Sequence, residues 1–215
     1  MVSDEVIARI CKTKIIAILR GDLEGKTCEI AGALAEGGIT AIEVSLVSPD
    51  YATAIRLLVK RFSEWMAIGA GTVMTEHQVK EVAACGASFV VSPNCDSQVI
   101  AATRALGMAS VPGAYTATEV VHAMRCGADA VKLFPAGAAG PDYVRALCVP
   151  IPEVRLVPTG GITERNIAAY LAAGAWAVGV GSELVNARDA HHFDYAALKE
   201  KACRFVAATG ENGRA

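Results

Sequence analysis

What this 215-residue chain lacks narrows its purpose before any motif is considered. It has no excess of positive charge, since 20 Lys and Arg stand against 22 Asp and Glu for a formal net charge of -2. Nothing therefore offers the electrostatic footprint that a nucleic acid backbone or an anionic membrane selects, and neither partner is expected. No apolar run approaches the roughly 20 residues that cross a bilayer. Met1-Val2-Ser3-Asp4-Glu5 places acidic residues where a secretory leader needs a basic start. The seven cysteines (Cys11, Cys28, Cys85, Cys95, Cys126, Cys148, Cys203) are an odd number without a C-x-x-C pair, which suits reduced thiols better than disulfides or zinc. The expectation is a soluble, cytoplasmic protein. Aromatic residues amount to only 6%, which argues against a β-sandwich and for helices packed closely on strands.

What the chain does have is a repeated rhythm: an Ala-rich helix, a glycine near its end, then a short apolar strand. It recurs at Ala35–Ile39, Ala84–Phe89, Ala105–Met108, Arg125–Ala130 and Ala173–Ala177. Glycine is what a helix end needs where the backbone takes positive φ before a strand. Eight strands are predicted, near Ile15–Leu19, Ala41–Val44, Met66–Ala70, Phe89–Ser92, Ala109–Pro112, Ala130–Phe134, Arg155–Pro158 and Ala177–Val180. Between them, Tyr51–Phe62, Glu76–Ala84, Ser97–Leu106, Thr118–Arg125, Asp142–Cys148 and Thr163–Ala173 have helical spacing, with N-caps at Thr75, Asp96, Thr116 or Thr118, and Thr163. Strands apolar at nearly every position and joined by helices form parallel sheets buried on both faces. The prediction is one domain over residues 1–215, an α/β (β/α)8 TIM barrel, with Asp4–Thr13 as an extra N-terminal helix, Tyr195–Ala208 closing it and Thr209–Ala215 frayed. An open doubly wound sheet would want a glycine fingerprint after the first strand, and Arg20-Gly21-Asp22-Leu23 is not one.

In such a barrel chemistry sits at the C-terminal strand ends. Lys132 lies inside Ala130-Val131-Lys132-Leu133-Phe134-Pro135, where an unpaired ammonium is costly and the amine is expected to shed its proton. A neutral amine attacks carbonyl carbon; the alternative is a lysine that snorkels out or pairs with a core carboxylate. Glu43, in Ile42-Glu43-Val44, reads as a general acid and base in dry surroundings or as a structural partner of Lys132 or Arg20. The Gly-rich turns Pro158-Thr159-Gly160-Gly161-Ile162 and Gly179-Val180-Gly181-Ser182 follow the strands whose loops commonly hold phosphate. Each alone is equally a tight turn without a ligand. Gly160, Gly161, Gly181 and Ser182 are the candidate phosphate ligands. Arg20 ends the first strand, able to clamp a carboxylate or to make a surface salt bridge. Thr72 offers a hydroxyl near the lysine, while Pro93 and Phe134 read as pocket wall. His77, His122, His191 and His192 have no carboxylates at ligand spacing, so no metal is expected.

Taken in order, Ala17–Arg20, Ile42–Val44, Ile68–Val73, Val91–Pro93, Val111–Gly113, Val131–Ala136, Val157–Ile162 and Val178–Ser182 resemble the 2-keto-3-deoxy-6-phosphogluconate / 4-hydroxy-2-oxoglutarate aldolases. The resemblance implies a class I pyruvate aldolase on a (β/α)8 barrel, usually a homotrimer without cofactor. It implies that Lys132 forms an imine, Glu43 moves protons, Thr72 contacts the pyruvyl carboxylate and Gly160, Gly161 and Ser182 take phosphate. Many such enzymes carry an arginine four residues after the glutamate. Here that position is Val47, so the carboxylate role passes to Arg20.

The implied substrate is a phosphorylated 2-keto-3-deoxy sugar acid. Rival readings are the 6-phosphogalactonate aldolase, a phosphate-binding barrel of the thiamine phosphate synthase or tryptophan biosynthesis type, and a catalytically dead metabolite-binding barrel.

Overall fold

The computed structural model describes residues 2–23 and 25–210. Among the described residues there are nine strand segments, which alternate with helices except where Ala109–Val111 runs directly into Gly113–Ala114. Strands β1 (Ile15–Leu19), β2 (Ala41–Ser45), β3 (Ala67–Gly71), β4 (Phe89–Val91), β5 (Ala109–Val111) and β9 (Val178–Val180) form one parallel sheet in the order β5-β4-β3-β2-β1-β9. Strands β6 (Gly113–Ala114), β7 (Val131–Leu133) and β8 (Leu156–Pro158) form a second, in the order β6-β7-β8. The strand expected at Ala109–Pro112 thus becomes two segments. Pro112 has no N–H to give the ladder, though its carbonyl accepts from Lys132 N–H at 2.9 Å. At the other end Thr159 bridges Gly179 in parallel sense.

Both sheets curl about one interior. Alternate residues of each strand turn outward to the helices, as Ile15, Ala17 and Leu19 do, while Ile16, Ala41, Phe89, Val111 and Val157 from the two sheets pack into a single inner cluster. The inner positions taper in size for a reason. A Cβ on Gly69 would strike the Phe89 ring, so the smallest residue on β3 makes room for the largest on β4. Helix α1 (Val2–Thr13) adds Val6 and Ile10 to the inner cluster and so covers one end of it.

The repeated glycine turns take the backbone expected of them, with φ of 94° at Gly38, 90° at Gly86, 78° at Gly107, 93° at Gly127 and 107° at Gly174. Helices α2 (Thr27–Glu36), α3 (Tyr51–Phe62), α4 (Glu76–Ala84), α5 (Ser97–Ala105) and α6 (Ala117–Arg125) follow in turn. Thr75 and Asp96 cap as predicted, and Thr116, not Thr118, forms a capping box with Glu119. Two helices depart from expectation. Helix α7 (Ala136–Cys148) starts earlier than Asp142 because the chain winds a turn before Gly140 (φ 76°) and Pro141 break it. Helix α8 (Ile167–Ala172) starts later than Thr163, since Thr163 N–H donates to Asn166 Oδ1 at 2.8 Å instead of Thr163 capping a helix. A 3-10 turn (Ala187–His192) follows β9, and α9 (Tyr195–Ala208) comes after it. Thr209 is held by its hydroxyl on Val206 O at 2.7 Å, and the rest of the expected frayed tail, from 211, lies outside the described residues. Among the described residues no helix is long and apolar enough to cross a membrane.

Candidate active site

Lys132 and Glu43 reach the interior by one rule. On β7, Val131 and Leu133 point out to the helix layer and turn Lys132 inward, 3% exposed; on β2, Ile42 and Val44 do the same for Glu43, 2% exposed. No ion pair within 4.0 Å joins Glu43 to Lys132 or Arg20 among the described residues. Glu43 Oε1 is buried without a hydrogen-bond partner. Loss of water pushes the Glu43 carboxyl above its usual value of 4.5, and the charges of Lys132 and Arg20 pull it only part of the way back. Burial of this kind disfavours the charged form of a carboxyl.

Thr72 follows β3 with φ at 63°, a conformation a β-branched residue seldom adopts. Its hydroxyl lies 2.8 Å from Ser45 Oγ. Ser45 is fully buried and sits two residues after Glu43 on the same face of β2. The sequence reading passed over Ser45, although the period of two that singles out Glu43 points to it as well.

A cavity of about 350 Å³ opens at the strand ends and brings together Arg20, Phe134, Gly160, Gly161, Gly181 and Ser182. Gly160 and Gly161 have φ of 88° and 78°, and Asn166 Nδ2 donates to Gly161 O at 2.8 Å, bracing the turn. Such a turn leaves backbone N–H groups open to an anion. Beyond β9 the N–H groups of Leu184 and Val185 both bond Gly181 O, at 2.8 and 3.0 Å, so the chain bends back and leaves Ser182 exposed on the rim. Arg20 is exposed and its guanidinium makes no hydrogen bond or ion pair with a described residue. Val47, four residues after Glu43, is 60% exposed.

The remaining candidates are placed differently. Thr72, Pro93, Lys132 and Glu43 are not in the wall of that cavity. Lys132 connects to it through Phe134, whose ring centroid is 5.1 Å from Nζ. Pro93 shares with Phe134 a second cavity of about 440 Å³, so Phe134 stands between the two. Among the described residues no three His, Cys, Asp or Glu side chains are grouped to hold a metal. The arrangement offers a buried amine, a buried carboxyl and an anion-ready turn on one side of a fold.

The family model for KDPG and KHG aldolase matches residues 6–201. The 2-dehydro-3-deoxy-6-phosphogalactonate aldolase of Escherichia coli (strain K12) is 38% identical over 82% of this chain and 86% of its own. The 2-dehydro-3-deoxy-phosphogluconate aldolase of Pseudomonas aeruginosa is 36% identical over 77% and 76%. Among solved structures, the KDPG aldolase of Legionella pneumophila, with pyruvate captured as a covalent carbinolamine, superposes with a TM-score of 0.84 at 31% identity, covering 92% of this chain and 96% of that one.

Proposed function

The chain belongs to the KDPG and KHG aldolase family, and from that membership we propose a Schiff-base reaction in which Lys132 is the nucleophile and Glu43 the proton carrier. The enzyme is a carbon–carbon lyase that reversibly cleaves 2-keto-3-deoxy-6-phosphogluconate to pyruvate and glyceraldehyde 3-phosphate. The observation that carries the roles is the pair itself: two ionisable side chains buried on one interior, not bonded to each other, with a carboxyl oxygen left open.

Lys132 Nζ adds to the C2 ketone, and the carbinolamine loses water to an iminium. Glu43 takes the C4 hydroxyl proton, the C3–C4 pair flows into the iminium, and glyceraldehyde 3-phosphate leaves. Glu43 returns the proton to C3 of the enamine, and water releases pyruvate and the free amine. Thr72 and Arg20 hold the carboxylate. The turn at Gly160 and Gly161, with Gly181 and Ser182, holds the distal phosphate so that C4 faces the carboxyl.

The fold this reading takes is the full (β/α)8 barrel. The run from β5 through Pro112 into β6 at one seam, and the Thr159–Gly179 bridge at the other, support that closure. The homotrimer and the cytoplasmic setting rest on the family resemblance, and equilibrium sedimentation at three times the chain's 22.3 kDa tests the first.

A second reading has its own support: the galactonate epimer is the substrate named for the Escherichia coli relative. Comparing pyruvate release from the two epimers decides between them. A chain that releases pyruvate from neither is not this aldolase.

A further inference from the structure

One cation on the cavity wall has no part in the mechanism above. Arg188 sits in the 3-10 turn after β9 and lines the same cavity as Arg20, Gly160, Gly161 and Ser182. Two contacts hold the turn there. Asn186 Oδ1 accepts from Arg188 N–H at 3.1 Å and caps it. Ala187 packs on Gly21, where an added Cβ would lie 2.9 Å from the Ala187 Cβ, so the turn rests on the loop that follows Arg20. Arg20 and Arg188 therefore stand on two touching segments at one rim. Among the described residues Glu183 is the single acidic one on that wall. Yet the Arg188 guanidinium makes no hydrogen bond or ion pair with any described residue, which leaves its planar fork for a ligand.

We propose that Arg188 is a specificity-determining residue that supplies the cationic contact to the substrate's distal phosphate, beside the Gly160–Gly161 turn and Ser182. The inference rests on the aldolase reading for the identity of the substrate. Glycine N–H groups and a hydroxyl are neutral donors that suit many oxyanions, whereas an arginine adds charge and two parallel N–H bonds that favour a phosphate dianion over a hydroxyl. The chain thereby selects aldols with a phosphorylated end over their unphosphorylated counterparts. Because the turn packs on the loop after Arg20, both cations line one cavity, and the proposal gives each a different charged end of a single substrate.

The test uses Arg188→Ala and Arg188→Lys in the full chain. Inorganic phosphate is titrated calorimetrically, and KM is measured for the 6-phospho epimer that the wild type cleaves. Arg188→Ala is expected to weaken phosphate binding and to raise that KM together, about ten- to a hundredfold, with Arg188→Lys recovering part of the loss. Phosphate affinity within twofold of wild type in Arg188→Ala, or no phosphate binding by the wild type, overturns the inference. So does an equal rise in the KM for pyruvate in the reverse condensation, because pyruvate reads the other end of the site. Phosphate titration needs no turnover: binding that depends on Arg188 in a chain that releases no pyruvate would sink the aldolase reading alone.

Discussion

Glu43 occupies the space that Gly71 leaves open. A Cβ built on Gly71 overlaps Glu43 Oε1, and Gly71 pairs in register with Ser45, two residues beyond Glu43 on the neighbouring strand. Gly71 is not among the glycines with positive φ, so what the position demands is room and not backbone freedom. Gly71→Ala is expected to keep the wild-type circular dichroism spectrum and to lose about a hundredfold in kcat, the usual cost of displacing a reacting group by an ångström. Wild-type turnover would show that the carboxyl need not stand where it does.

The pH dependence of stability follows from the same residue. Burial holds the folded Glu43 carboxyl above 4.5, so between its unfolded and folded pKa the folded chain binds more proton than the unfolded one. Its contribution to stability is then fully present below the unfolded pKa and is lost as pH rises through the folded value. Glu43→Gln, neutral throughout, is expected to melt at a higher temperature than wild type near pH 8 and to lose that advantage below about pH 4. A melting difference that does not vary with pH would contradict the burial argument.

Arg20 is exposed and its guanidinium makes no hydrogen bond or ion pair with a described residue, so little of the fold depends on it. Arg20→Ala should shift stability by no more than about 0.5 kcal/mol while raising the KM for 2-oxo acids about tenfold or more. Chemical denaturation and steady-state kinetics on the same preparation check both. An unchanged KM sends the carboxylate role elsewhere.

The 2.8 Å contact between Ser45 and Thr72 ties the Thr72 hydroxyl to the strand that carries Glu43. Thr72→Ala is expected to raise the KM for pyruvate about tenfold, with Thr72→Ser close to wild type because it keeps the hydroxyl. Equal KM values in Thr72→Ala and wild type would remove Thr72 from the site.

Much of this was legible because buried parallel strands are written as short apolar runs. An ionisable residue inside such a run, as Lys132 and Glu43 are, stands out from sequence alone. Thr75, Asp96 and Thr116 were legible for a similar reason: a cap acts on N–H groups two or three residues away. What failed was set by longer contacts or by local competition. Pro112 splits a strand only because the two halves pair with different sheets, and Ala136–Ala139 hides a helical turn behind Gly140 and Pro141. Asn166 outcompetes Thr163 for the backbone at the start of α8. Arg188 carries no motif and is seen only once the turn after β9 lies on the loop after β1. Ser45 was within reach of the period of two that marks Glu43, and the structure adds its contact with Thr72.

The central claim is that the Lys132 amine bonds covalently to C2 of a 2-oxo acid. Borohydride added with pyruvate, followed by peptide mass mapping, tests it directly. The account predicts a reduced pyruvyl adduct on the peptide containing Lys132 in the wild type, the same adduct in Glu43→Gln but with slowed exchange of the pyruvate methyl protons, and none in Lys132→Ala. An unmodified Lys132 peptide, or an adduct on another lysine, would contradict it.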